Sequence, residues 1–132
     1  MKKKTKRSKY GNTKVKTEDG LVFDSKKEKE RYDKLLEMER EGKIWNLRRQ
    51  VEYLLLPAVT ETVPVQLKTK VKYKEVTLYR ETNYKADFVY IEDGEEVVED
   101  VKASKWFQDP VYKLKKKLMY MIHHIKIKEV YE

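Results

Sequence analysis

The most constraining feature of the chain is a pair of strand-like runs, residues 84–91 and 95–102, set around Asp93-Gly94. Asp-Gly between two such runs favours a two-residue type I′ turn, whose central residues both need positive φ. Granted that turn, the register follows by counting: Glu92 pairs with Glu95, Phe88 with Glu99 and Asp87 with Asp100. Directly opposed side chains on an antiparallel pair have Cβ atoms about 4.5–5.5 Å apart, where like charges repel. One reading of the acidic run 92–100 is a solvated edge hairpin. Against it, Asp87 and Asp100 are each embedded among apolar residues, Phe88-Val89 and Val97-Val98, where charges are seldom placed without partners. The compensation is then a divalent cation, or Lys102, which strand period two puts on the face of Asp100, or both. Oxygen ligands on a rigid hairpin suit Mg²⁺, which binds through one or two carboxylates and keeps several waters.

The charge of the chain is unevenly spread. Of 132 residues, 31 are Lys or Arg and 23 are Asp or Glu, a net charge of +8. Eight of the positive charges precede the first acid, Glu18, so the rest of the chain is balanced. Residues 1–16 have few sizeable apolar side chains and read as a flexible basic arm, and 17–132 as one domain. No run approaches the roughly 20 apolar residues of a membrane span, and the basic first residues lack the apolar segment of a signal peptide. A cytoplasmic protein is expected. Without cysteine there is no disulfide, thiol nucleophile or thiolate zinc site.

Within the domain, Ser25 followed three residues later by Glu28 is a capping-box pattern that opens a helix, and Gly42 closes it. Residues 51–56 and 71–79 read as strands, with 57–70 a Pro- and Thr-containing connection. Asp109-Pro110 reads as N-cap and N1 of a second helix over 110–123, with Leu114, Leu118, Met121 and Ile122 on its apolar side. A closing strand is expected within 125–131, giving the order α-β-β-β-β-α-β.

Asp87 followed by Asp100-Val101-Lys102 resembles the D…(D/E)xK signature of the PD-(D/E)xK nucleases, with Ala86 where a proline usually precedes the first acid. The surrounding text extends the resemblance over nearly the whole chain: Lys9-Tyr10-Gly11-Asn12, residues 19–28, 84–90 and 98–102, and Tyr112-Lys113-Leu114-Lys115-Lys116-Lys117. Together these resemble a family of small phage-encoded endonuclease-like proteins, itself similar to phage and archaeal Holliday-junction resolvases. The resemblance implies an α/β (α+β) fold with a restriction-endonuclease-like core, a central mixed β-sheet flanked by helices. It implies that Asp87 and Asp100 bind Mg²⁺ or Mn²⁺, that Glu28 adds a third carboxylate, and that Lys102 orients or activates the attacking water. Glu28 has a second reading as a helix-capping residue only. Glu99 falls on the other sheet face by parity. The implied reaction is phosphodiester hydrolysis in DNA, branched DNA above all, during phage DNA recombination, replication or processing. A non-catalytic DNA-binding accessory protein is the alternative.

The arm residues Lys2, Lys3, Lys4, Lys6, Arg7 and Lys9 are expected to contact DNA phosphates, as are Lys113, Lys116 and Lys117 on the second helix. Trp106-Phe107, just past the motif strand, either stacks on bases or packs inside. His123 and His124 are read as helix-end residues, since consecutive helical side chains do not converge on one ion. The two-fold symmetry of a four-way junction favours a homodimer.

Overall fold

The computed structural model describes residues 14–131. Two short strands, β1 (Val15–Lys16) and β2 (Val22–Phe23), precede helix α1 (Lys26–Arg40). Then follow β3 (Trp45–Leu56), β4 (Val59–Gln66), β5 (Val71–Tyr79), β6 (Thr82–Glu92), β7 (Glu95–Val101), α2 (Pro110–His123) and β8 (Lys128–Val130). The central sheet has the order β3-β6-β7-β8, antiparallel except for the parallel β7–β8 pair, which α2 connects. The fold is thus α+β, with a mixed four-stranded sheet between two helices.

The hairpin register matches the count from the sequence, from Glu92↔Glu95 to Phe88↔Glu99, and Asp93 and Gly94 take φ of 52° and 79°. Val98 packs with Tyr112 and Met119 of α2, whereas its neighbour Val97 packs against Leu35 of α1 and Tyr90. The helices therefore cover opposite faces, as the pleat requires.

Three expectations are corrected. Residues 59–66, read as part of a connection, form β4 and pair with β5 in a separate two-stranded ribbon. β-Branched residues favour the strand, and Pro64 is tolerated because the ribbon has a free edge. The order between the helices therefore has five strands rather than four, and Val71–Tyr79 lies outside the central sheet. Val15 and Lys16, read from the sequence as part of the basic arm, pair with β2. The apolar side of α2 is also different: Tyr112 and Met119 are buried and Leu118 packs against them, while Val111, Leu114, Met121 and Ile122 are exposed. The helix turns Tyr112 and Met119 inward, and most of its aliphatic stripe stays in water.

Helix α1 is fixed to the sheet by a buried ion pair. Arg31 Nε and Nη2 each donate to Glu99 at 2.8 Å, Tyr90 Oη also donates to this carboxylate, and Glu99 is fully buried. Its place on the α1 face agrees with parity. Removing one partner of such a pair strands the other charge. Arg31→Met is therefore expected to lower the unfolding free energy by about 3–5 kcal/mol in urea titration. A loss below about 1 kcal/mol would show that Tyr90 and Lys128, whose Nζ lies 3.8 Å from the carboxylate, suffice for Glu99.

Candidate metal centre

The site begins at the start of α1. Ser25 Oγ accepts from the Glu28 N–H at 3.1 Å, as an N-cap should. In a capping box the Glu28 carboxylate would return to the cap residue's own N–H. Here it reaches one residue further and accepts from the Asp24 N–H at 3.2 Å. Its other oxygen accepts from the Gln50 amide at 2.8 Å and lies 4.0 Å from the Arg49 guanidinium. This wrap brings Asp24 against Glu28, and Asp87 joins them from β6: one carboxylate oxygen of each lies within 4.8 Å of the others.

Asp87 stands where two strands change face together. On β3, Arg49 lies over the Phe23 and Tyr32 rings, on the α1 side, and Leu47 is there too; Val51 and Leu55 pack on the α2 side. On β6, Tyr84 and Ala86 face α2, but Phe88 and Tyr90 face α1. The switches coincide, since Arg49 pairs with Phe88 and Val51 with Ala86, which sets Gln50 opposite Asp87. Gln50 adopts φ of 52°, a left-handed conformation that costs a non-glycine residue strain. At this irregularity Asp87 turns toward β7 and accepts from the Val101 N–H at 2.8 Å.

Asp100 is held differently. Its carboxylate accepts from Tyr84 Oη at 2.7 Å and from Lys102 Nζ at 2.9 Å, and Lys102 Nζ also sits 3.1 Å from the centre of the Tyr112 ring. Tyr112 Oη donates to Glu129 at 2.9 Å, and Lys116 reaches Glu129 at 3.4 Å and Gln108 at 3.1 Å. Burial, and then the Asp100 charge, push the Tyr84 and Tyr112 hydroxyls far up, so both remain donors.

The crowding of carboxylates registers in their protonation. Burial first, then the charges of Asp100 and Glu28, push the Asp87 carboxyl up to about 8, against the pull of the Val101 N–H and Lys102. Glu28 is raised by burial and by Asp24. Three hard oxygen donors drawn this close fit a small divalent cation such as Mg²⁺ or Mn²⁺.

Farther along α2, Lys113, Lys116 and Lys117 come together with Lys126 and Tyr120 around a cavity of about 450 Å³. Lys2, Lys3, Lys4, Lys6, Arg7 and Lys9 lie outside the described residues. The histidines are structural, as expected: His124 caps α2 with a φ of 57°, and His123 Nε2 lies 2.7 Å from the Leu54 carbonyl.

A family model described as protein of unknown function (DUF1064) matches residues 7–131. The chain belongs to the DUF1064 family. No curated protein and no solved structure matches it. The DUF1064 match spans the four carboxylates, Lys102 and the lysine-lined cavity, but leaves Lys2, Lys3, Lys4 and Lys6 before its start.

Of the sequence-predicted ligands in this DUF1064 chain, the structure brings Glu28 and Asp87 together and leaves Asp100 outside that cluster, tied to Tyr84 and Lys102 and near enough for its charge to act on Asp87. Asp24 takes the third convergent position and was missed, although its spacing of four from Glu28 at a helix start was the available signal. Gln50, Tyr120 and Lys126 carry no motif and were missed, and Tyr84 and Tyr112 lie inside the stretches that carry the resemblance but were given no role.

The raised Asp87 carboxyl sets the sign of a pH effect. Between its ordinary value of 3.8 and about 8, the folded metal-free protein holds a proton that the unfolded chain has released. This contribution to stability is therefore lost as pH rises through that window. Asp87→Asn removes the charge but keeps an acceptor for Val101. At pH 8.5 without metal it is expected to melt several degrees above wild type, since 1 kcal/mol moves a domain of this size by about 3–5 °C. At pH 5 the difference should shrink. A variant that melts below wild type at pH 8.5 would contradict the crowding.

Proposed function

We propose that this chain is a metal-dependent endonuclease of PD-(D/E)xK type that hydrolyses DNA phosphodiester bonds, with branched DNA such as a Holliday junction as its substrate class. The supporting observation is the convergence of Asp24, Glu28 and Asp87 beside the Asp100–Lys102 pair. Asp87, Asp100 and Lys102 are the positions that match the nuclease signature, and a mixed sheet between two helices agrees with a restriction-endonuclease-like core.

Asp24, Glu28 and Asp87 would hold Mg²⁺ or Mn²⁺, with Asp100 next to them. When bound, the cation lowers the pKa of water and offsets charge on the phosphate. Lys102, oriented by Asp100 and the Tyr112 ring, is positioned to donate to the attacking water or a phosphate oxygen. Tyr84 fixes Asp100 so that Lys102 keeps its aim. Lys113, Lys116, Lys117 and Lys126 offer phosphates a basic cavity, and the arm lysines extend that contact. The reading includes a homodimer, because a four-way junction is two-fold symmetric. Val111, Leu114, Met121 and Ile122 are the exposed apolar surface that such an interface requires. It also places the protein in the cytoplasm of a phage host.

The lysine-lined cavity alone would also serve a non-catalytic DNA-binding accessory protein. The carboxylates separate the two readings, since crowded acids repel phosphate and have no use in a pure binder. Cleavage of a four-way junction, a linear duplex and a single strand with Mg²⁺, Mn²⁺ or EDTA decides between them. Junction cutting that needs the metal is expected. Asp87→Asn and Asp100→Asn should still bind DNA but lose cutting, and Lys102→Ala should slow it by about 10²–10⁴-fold. Undiminished cutting by Asp87→Asn would sink the site, and metal-independent binding without cutting would favour the accessory protein. Deleting residues 2–9 removes six basic side chains and should flatten the dependence of DNA affinity on salt. An unchanged slope would remove the arm from the interface.

A further inference from the structure

We infer that Trp106 and Phe107 form a stacking platform for an unpaired nucleobase beside the scissile phosphate, so that the protein selects DNA whose base stack is interrupted. This rests on the nuclease reading and adds to it how the substrate is chosen.

Sequence left two alternatives for these aromatics, stacking or packing, and for Trp106 the structure removes the second. Trp106 is 96% exposed and Phe107 is 62% exposed. An indole that buries about 150–250 Å² when covered is left in water. Its backbone is not at the end of a loose segment. The loop leaves β7 at Lys102, whose N–H donates to the Val130 carbonyl at 2.7 Å, and re-enters α2 at Asp109, which caps the Val111 N–H at 2.7 Å. Between these anchors, Ser104 Oγ accepts from the Trp106 N–H at 3.1 Å, and Lys27 reaches the Ala103 carbonyl at 3.4 Å. The exposed ring is held out by a pinned loop.

Beside the rings opens a cavity of about 340 Å³ whose lining includes Lys102, Ser104, Phe107 and Gln108. One wall is therefore the lysine that Asp100 orients, so a group seated there neighbours the proposed reaction site. The charges around it select the occupant. Lys102 and Lys105 belong to this loop and Lys27 reaches it at Ala103, against one acid of the cavity wall, Asp109, which suits an anionic ligand with flat rings and suits an apolar peptide poorly. Single-stranded nucleic acid is recognised by this combination of basic groups and aromatic platforms. In an intact duplex both faces of every internal base are covered by neighbours. A free face occurs at a junction, fork, flap or single strand, and exposing one costs least where pairing is already broken.

The chain has two tryptophans, Trp45 and Trp106, so Trp45→Phe leaves Trp106 as the sole indole reporter. Full-length Trp45→Phe protein in EDTA is titrated with a four-way junction, a single strand and a paired duplex of equal length whose ends are closed by hairpin loops placed far from its centre. The junction and the single strand are expected to quench Trp106 emission strongly, and the duplex weakly. In the wild-type background, Trp106→Ala should raise the Kd for the junction by about 5- to 150-fold, and that for the duplex by less than about twofold. Trp106→Phe, which keeps an aromatic face, should recover most of the affinity. Equal quenching by junction and duplex, or a junction Kd unchanged in Trp106→Ala, would overturn the inference. Failure of the nuclease reading looks different: quenching and the Trp106→Ala defect persist while wild type cuts nothing with Mg²⁺ or Mn²⁺.

Discussion

Two parallel hydrogen bonds from Arg31 to the buried carboxylate of Glu99 hold α1 across the central sheet. Glu28 lies one turn before Arg31, and Asp100 is the neighbour of Glu99, so this one contact sets the distance between the first helix and the motif hairpin. With the Gln50 amide on Glu28, it holds Asp24 and Glu28 in a fixed relation to Asp87. Isolated buried ion pairs seldom add net stability over an apolar pair. The value of this one is positional, because its fork geometry fixes the rotation of the helix as well as its distance.

The second constraint is the shared change of face at Gln50 and Asp87. An unbroken pleat would have put Tyr84, Ala86, Phe88 and Tyr90 all on one face, with Asp87 on the other. The switch instead lets it meet both the Val101 N–H and the acids at the start of α1. The cost appears as left-handed backbone at Gln50 and as a carboxyl held well above its ordinary range at Asp87. Strain and like-charge crowding therefore fall at one level of the sheet, with a sound core on either side.

Local chemistry was legible in the sequence wherever one short motif decides the geometry. Asp93-Gly94 fixed the hairpin register, Ser25 and Asp109 capped their helices, and parity placed Lys102 beside Asp100 and Glu99 on the opposite face. The change of face at Asp87 was not legible, because counting by twos assumes an unbroken pleat, and the break coincides with Gln50, more than thirty residues away. Asp24 escaped because the capping pattern predicts a bond from Glu28 to the cap residue, not one position earlier. The stripe Leu114, Leu118, Met121 and Ile122 was read as inward, although an apolar stripe states only that a face is apolar. Which face meets the sheet was settled by Tyr112 and Met119.

The account turns on whether Asp87 exchanges its proton for a cation. Titration calorimetry with Mn²⁺ at pH 7, in two buffers of different ionisation enthalpy, measures both events at once. The expected result is saturable binding by wild type with about one proton released per cation, and loss of both in Asp87→Asn. Wild type that gives no binding heat, or that binds without proton release and equally well as Asp87→Asn, would contradict the proposed centre.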